Sequence, residues 1–529
     1  MPKLITPKDW LDPLMKAVGY RNTFCGTKNN GLQEWSRNMD SVRHKFPSMS
    51  GVAPEMQQYR LNIVRKNLFD LIPSVFITSP YVNVTPTFKI INDPAMSQLR
   101  QINAKIIETQ INWYFKVTNF EDEVRDILQD HFLTDKGIMK IGYDTEYAFR
   151  EEMMDKVLKD TEDNRSKLKD DQRVEFNTSV RPGLAWSKRI FPNSFLVPYG
   201  SRMLTDMAWC AHRIYRKLED IQNSKYYINT KELTGTKIEL LTGFSDLEMF
   251  GSDNSNYQEN DWVELIEIRD YKAGQISVLA PGYDKWLREP QNAPLQIDGL
   301  PFVDYYILRD PRYFWSIPDA TVIGDQQLEV NEARTHAAMY RRLLLLRFMY
   351  NQNKINKEEL TKLMNGELCV AIGVDGSVSD SITALQPHIP PDLLNWVQEV
   401  LGDSREQIGQ MRQDLVNPKS RLVNSAVQQQ SVTPSLRIND RQIACAKFIN
   451  RVARKVIQVH LKFWDAPNIA SVVGVDGMRY WVEYSPKEIR DEYDFNSDVE
   501  SMQPRNNQNT RGELLQLMQV FGKNPNANI

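Results

Sequence analysis

Residues 319–350 read DATVIGDQQLEVNEARTHAAMYRRLLLLRFMY, and residues 391–414 read PDLLNWVQEVLGDSREQIGQMRQD. Each carries one apolar stripe at helical spacing. In the first the stripe is Val322, Leu328, Ala333, Ala337, Tyr340, Leu344 and Phe348. In the second it is Leu393, Val397, Val400, Leu401, Ile408 and Met411, running on to Leu415. The first stretch starts acidic (Asp325, Glu329, Glu332) and ends basic (Arg341, Arg342, Arg347), which complements a helix dipole. About thirty residues rising 1.5 Å each span roughly 45 Å, long for a helix inside a globular core. Gly402 and Gly409 weaken the second stretch and mark a bend.

Between the two lies a small insert, 351–388, with a short helix expected at 357–364, a strand at 368–374 and a turn at Val374-Asp375-Gly376-Ser377. After them, 416–435 reads VNPKSRLVNSAVQQQSVTPS, has no period and predicts a polar loop. Residues 436–464 return to helix, with Ile443, Ile449, Val452, Val456, Val459 and Phe463 on one face. The other face holds Arg437, Arg441, Lys447, Arg451, Arg454, Lys455 and Lys462 against a single acid, Asp440. Such a helix either faces nucleic acid or lies on an acidic neighbouring subunit, and local charge does not separate the two.

Working back toward the N-terminus, apolar periodicity predicts helices at 54–76, 94–120 and 120–134. Asp135-Lys136-Gly137 closes the third, with the glycine as the expected left-handed cap. Alternation predicts a strand at 138–149, and the charged run 150–173 reads as a solvated excursion. Strands follow at 174–180, 194–198 and 209–215, then a helix from Leu218. Residues 262–271 and 275–280, joined at Ala273-Gly274, form a hairpin. Residues 301–318, dense in aromatics and prolines, read as a stiff buried connection. Past Trp464, 470–482 and 492–499 are β-like, and 510–522 reads as a last helix.

The 529 residues suffice for two to four domains, and a net charge of −3 excludes a chain that binds nucleic acid by bulk charge. Cys25, Cys210, Cys369 and Cys445 are far apart without a CxxC, so neither a disulfide framework nor a zinc site is expected. Residues 1–20 carry Asp9, Asp12 and Pro13 and do not read as a signal peptide, and apolar runs such as 343–346 are far short of a membrane span. A soluble protein of a reducing cytoplasm is expected, with no membrane contact. No GxxxxGK[ST], GxGxxG or HExxH occurs, and the six histidines are scattered. No enzyme activity, cofactor or metal is therefore expected. Cys210 and His212 share a strand face, but nothing supplies an orienting acid, and Cys210 reads as a core thiol.

The order of parts from 301 to 464 resembles the portal (head-to-tail connector) proteins of tailed bacteriophages. Three further stretches add to the likeness. Phe191-Pro192-Asn193-Ser194-Phe195-Leu196-Val197-Pro198, with Asp206–Arg213 and the helix start at Leu218-Glu219-Asp220, is similar to a strand of that family's wing. Asp325-Gln326-Gln327 with Glu329 and Asn331 is similar to the start of its first stem helix, and 489–499 followed by Gln503-Pro504 to its C-terminal segment. The motifs are loose and cover the chain from about Tyr143 onward. The resemblance implies an α+β, mostly helical subunit with wing, stem, clip and a small crown, assembling into a ring of about twelve copies at one capsid vertex. On this chain the wing is 1–318, the stem helices 319–350 and 389–414, and the clip 351–388. The tunnel loop is 415–435, the basic helix and its return to the wing 436–497, and the crown 498–529.

By the same likeness, Lys419, Arg421, Asn424, Gln428, Gln429 and Gln430 would line the DNA channel. Lys354, Lys357, Glu358 and Lys362 would meet partners at the clip. The implied partners are double-stranded DNA without sequence preference, the large terminase subunit, a head–tail adaptor, and the major capsid or scaffolding protein. The implied location is the virion, after assembly in the host cytoplasm. A loop of Gln, Ser and Asn with only two cations suits DNA that must slide, because many phosphate contacts would hold it. The acidic start of 319–350 could meet a neighbour's basic helix and help close the ring. Two other classes compete: a minor capsid or adaptor protein, and a metal-dependent nucleic-acid enzyme whose clustered carboxylates are not evident.

Overall fold

The computed structural model describes residues 6–26, 31–47, 59–78, 81–87, 94–143, 185–224, 226–235, 262–293, 295, 297–343, 347–350, 358, 361, 382–385, 392–408, 424–463, 468–473, 479–484 and 493–497. The described residues are about 55% helical with antiparallel sheets, an α+β fold. In chain order the strands begin with β1 (Val82–Pro86), β2 (Gly137–Gly142), β3 (Trp186–Ile190), β4 (Phe195–Leu196) and β5 (Trp209–Lys217). There follow β6 (Trp262–Asp270), β7 (Gln275–Leu279), β8 (Arg288–Asn292), β9 (Phe302–Tyr305) and β10 (Arg347–Tyr350). The last are β11 (Ile382–Leu385), β12 (Asn468–Val473), β13 (Arg479–Tyr484) and β14 (Tyr493–Ser497). The chain divides into two compact units, Met1–Met39 with Asn67–Val322 and Asn424–Ile529, and Asp40–Lys66 with Ile323–Val423.

The first unit contains a five-stranded antiparallel sheet, β4-β5-β6-β7-β8, and a three-stranded one, β3-β2-β9. The expected hairpin is present as β6–β7, and Gly274 turns it at φ +62°, a conformation glycine adopts without steric penalty. β8 contains Pro290 and sits at the sheet edge, where its missing N–H removes no ladder bond. On β2 the helix Phe120–Thr134 buries Val124, Ile127, Leu128 and Phe132, one turn apart as its period requires. Its first turn holds Glu121, Asp122 and Glu123, on the side the helix dipole favours. Glu123 and Asp130 reach β3, where Asp130 takes both arms of Arg189 at 2.5 and 2.6 Å.

The residue that ends this helix is not the expected glycine. Asp135 takes the left-handed conformation, φ 67° and ψ −19°, and its N–H donates to the His131 carbonyl. Aspartate tolerates that region better than most side chains. Gly137 is instead the first residue of β2. A methyl group there would overlap the Ile127 side chain and lie 2.6 Å from the Ile127 carbonyl oxygen. Gly137→Ala is therefore expected to cost about 1–3 kcal/mol by overpacking, read as a lowered urea midpoint. An unchanged midpoint would mean that the strand is not held against the helix.

The long C-terminal helix Asn424–Phe463 crosses the three-stranded sheet and buries Cys445, Phe448, Ile449, Val452, Val456 and Val459. Two expectations are corrected at its start. The polar loop expected over 416–435 is helical from Asn424 onward, and Pro434 lies within the helix. Alanine and glutamine are good helix formers, so 424–430 needs no apolar stripe to propagate a helix that packing already fixes further on. Residues 416–423 lie outside the described residues.

In the second unit, helices Gly324–Leu343 and Asp392–Ile408 pack through Val330, Ala333, Val397 and Val400, with Ile63 between them. Gln327, Asn331 and Thr335, spaced one turn apart, hold an extended segment by its backbone. They accept from the N–H groups of Ile63 (2.6 Å), Leu61 (2.8 Å) and Tyr59 (3.1 Å). The single helix expected over 319–350 is corrected. It is broken at Ile323 into Asp319–Val322 and Gly324–Leu343, and Arg347–Tyr350 is the strand β10. Phe348 and Tyr350, two residues apart, suit the alternation of a pleated ladder better than one helical face. β10 pairs with β11, Tyr350 opposite Ile382, so the intervening stretch leaves and returns at one place. The short helix at 357–364 falls on described residues only at Glu358 and Thr361, both helical. The strands at 368–374 and 174–180, the excursion at 150–173 and the helix at 510–522 lie outside the described residues. Among the described residues no helix is long and apolar enough to cross a membrane.

Candidate nucleic-acid interface

The basic face of the helix Asn424–Phe463 is largely partnered within its own unit. Arg441 pairs with Asp319 at 2.8 Å. Arg451 donates to the Asp304 carboxylate at 2.9 Å and to the Asp304 carbonyl at 2.6 Å, and its guanidinium lies 5.2 Å from the centre of the Tyr306 ring. Lys455 donates to the carbonyls of Asp298 (2.7 Å) and Leu300 (2.6 Å). Those carbonyls flank Gly299, whose φ of +74° lets the turn aim both at one ammonium. Arg437, Lys447 and Arg454 are exposed. The contact anticipated between the acidic start of 319–350 and a neighbour's basic helix is, for Asp319, made inside the chain.

These pairings frame a cleft of about 360 Å³ between the helix and the segment leading into β9. Four cations line it, Arg309, Arg451, Arg454 and Lys455, with two carboxylates, Asp298 and Asp304. Asp298 is held by Gln458, which donates to its carboxylate at 2.7 Å and accepts from its N–H at 3.1 Å. The Arg309 guanidinium stacks 3.9 Å from the Tyr306 ring centre. Burial pushes the Lys455 ammonium down to about 8, with nearby Arg451 adding to the shift and Asp298 and Asp304 opposing it.

Of the channel residues expected from sequence, Asn424, Gln428, Gln429 and Gln430 lie on the helix backbone, while Lys419 and Arg421 fall outside the described residues. At the clip, Glu358 is exposed, and Lys354, Lys357 and Lys362 fall outside the described residues. Cys210 and His212 are both buried on β5, and burial pushes the Cys210 thiol up and the His212 imidazole down to about 3, the reverse of an activated nucleophile. Among the described residues no three His, Cys, Asp or Glu come together as a metal ion would need. Arg309, Asp298 and Asp304 were not singled out from sequence. They lie in aperiodic stretches, and only tertiary folding brings them to the helix. In comparison with known proteins, no family model and no curated protein matches this chain.

Proposed function

We propose that this chain is the portal subunit of a tailed bacteriophage, forming a ring-shaped channel at one capsid vertex through which the genome is packaged and ejected. The observation that carries this is the second unit. There two helices pack side by side through Val330, Ala333, Val397 and Val400, and the chain between them is closed at its base by the β10–β11 ladder. Two rods joined through a small tip that starts and ends at one point are what a stem and clip require. In chain order the helix Asn424–Phe463 comes next, which supports reading it as the basic helix that runs back across the wing.

On this reading the clip meets the large terminase subunit and later a head–tail adaptor, the wing seats in the capsid, and no chemistry is catalysed. DNA contact is non-specific and weak. Three cations of the basic helix are already engaged, so the helix is first a packing element, with Arg437, Lys447 and Arg454 exposed. Closed rings require head-to-tail interfaces whose rotation closes. Purified protein viewed by negative-stain electron microscopy is expected to form annuli of about twelve copies. A chain that stays monomeric across concentration and salt overturns the assignment, as does metal-dependent cleavage of DNA.

A further inference from the structure

The cleft beside Lys455 has more positive charge than its own chain satisfies. Asp304 is taken by Arg451, and Asp298 by Gln458. The acceptors on Lys455 are neutral carbonyls that use two of its three donors. Among the described residues neither Arg309 nor Arg454 has a carboxylate partner, and Arg309 rests against the Tyr306 ring and the Met203 sulfur. Leu300, Phe302 and Val303 give part of the lining an apolar surface, and a charge–charge contact made against such a surface is stronger than one in open water. We propose that this cleft is a binding site for a phosphate group, gripped by Arg309 and Arg454 at its mouth and by Lys455 deeper in.

Phosphate fits better than a carboxylate. Its several acceptor oxygens match two guanidinium forks and the remaining Lys455 hydrogen together, while one carboxylate satisfies a single fork. A volume near 360 Å³ admits a phosphate with a small apolar or aromatic body. The lowered proton affinity of Lys455 points the same way, because an entering anion would restore it. The chemistry is shared by free phosphate compounds and by a nucleic-acid backbone. The proposal does not need the ring.

The test uses the full-length chain and three probes: inorganic phosphate, adenosine monophosphate and a short DNA duplex. Calorimetry, or anisotropy for the duplex, is expected to show binding that Arg454→Gln and Arg309→Gln each weaken at least tenfold. Amine acylation at pH 8 read by mass spectrometry gives a second measure. A bound probe should slow labelling of Lys455 several-fold, and Arg454→Gln should remove that protection. Protection by the two small probes identifies a free phosphate ligand, whereas protection by the duplex alone identifies a nucleic-acid backbone. The proposal fails if no phosphate probe protects Lys455, if the variants bind as tightly as the parent, or if an oligo-glutamate peptide protects where phosphate does not. Should a variant fail to fold, protection of Lys455 in the parent chain decides by itself.

Discussion

Glu267→Ala is expected to remove about 3–5 kcal/mol from the stability of the first unit. Glu267 stands on β6 with 2% side-chain exposure and faces two cations that are nearly as buried. Lys140, from β2 of the three-stranded sheet, donates at 2.9 Å, and Arg269, two residues along β6, at 2.7 Å. Lys140 also lies about 6 Å from the Trp186 and Phe302 ring centres, so its surroundings are largely aromatic. Removing the carboxylate leaves two cations in low dielectric without their shared counter-charge. Burial would raise the Glu267 pKa, but Arg269 and Lys140 overcome it and hold the carboxyl well below its ordinary 4.5. That contribution is therefore complete above the ordinary value and lost as pH falls through the depressed one. Replacing Lys140 by Met together with Glu267 by Gln should recover part of the loss, because apolar packing can substitute for a buried pair. Urea midpoints of the three proteins measure this, and a single variant as stable as the parent would show the triad to be hydrated.

Acid should destabilise the same unit well before the ordinary carboxylate range is reached. Burial holds three histidines neutral, His131 down to about 4 and His212 and His460 down to about 3. In the unfolded chain each returns to about 6.5 and takes up a proton below that pH. Protons then favour the unfolded state, and stability falls by about 1.4 kcal/mol per pH unit for each histidine. Among the described residues two carboxyls oppose them, Asp135 and, raised by burial, Asp126. Burial raises Asp135 to about 7, with Lys136 lowering and Asp319 raising it, so its neutral form adds stability as pH drops from there. Three histidines against these two carboxyls leave a net loss of about 3–5 kcal/mol between pH 6.5 and 4.5. The urea midpoint should fall steadily across that interval, and His460→Gln should flatten the slope by one histidine's share. A flat midpoint would mean that the three rings are reached by water.

How much of this was readable from sequence depended on how local the determining contacts are. The hairpin β6–β7 and the helices Pro94–Val117, Phe120–Thr134 and Asp392–Ile408 follow from periodicity and turn residues that neighbours in sequence supply. The strand at Arg347–Tyr350 did not, because its partner is Ile382–Leu385, on the far side of the insert. β9 was hidden in a stretch whose aromatics signalled burial but not pairing, and its partner β2 is far away in the chain. The left-handed turn was expected at Gly137 by composition, whereas packing against Ile127 reserves that glycine for a close approach. In the site, Arg441, Arg451 and Lys455 were legible as a basic face. Their partners Asp319, Asp304 and the 298–300 carbonyls were not, since no spacing rule links a helix to a loop more than a hundred residues before it.

β1 is closed by β14, Val82 opposite Ser497, although more than four hundred residues are synthesised between them. At the ribosome's pace of about 5–20 residues per second, the first partner waits on the order of tens of seconds with its edge bare. An open edge is a template for other nascent chains. A slower ribosome lengthens that exposure, and anything that shields 82–86 during synthesis shortens it.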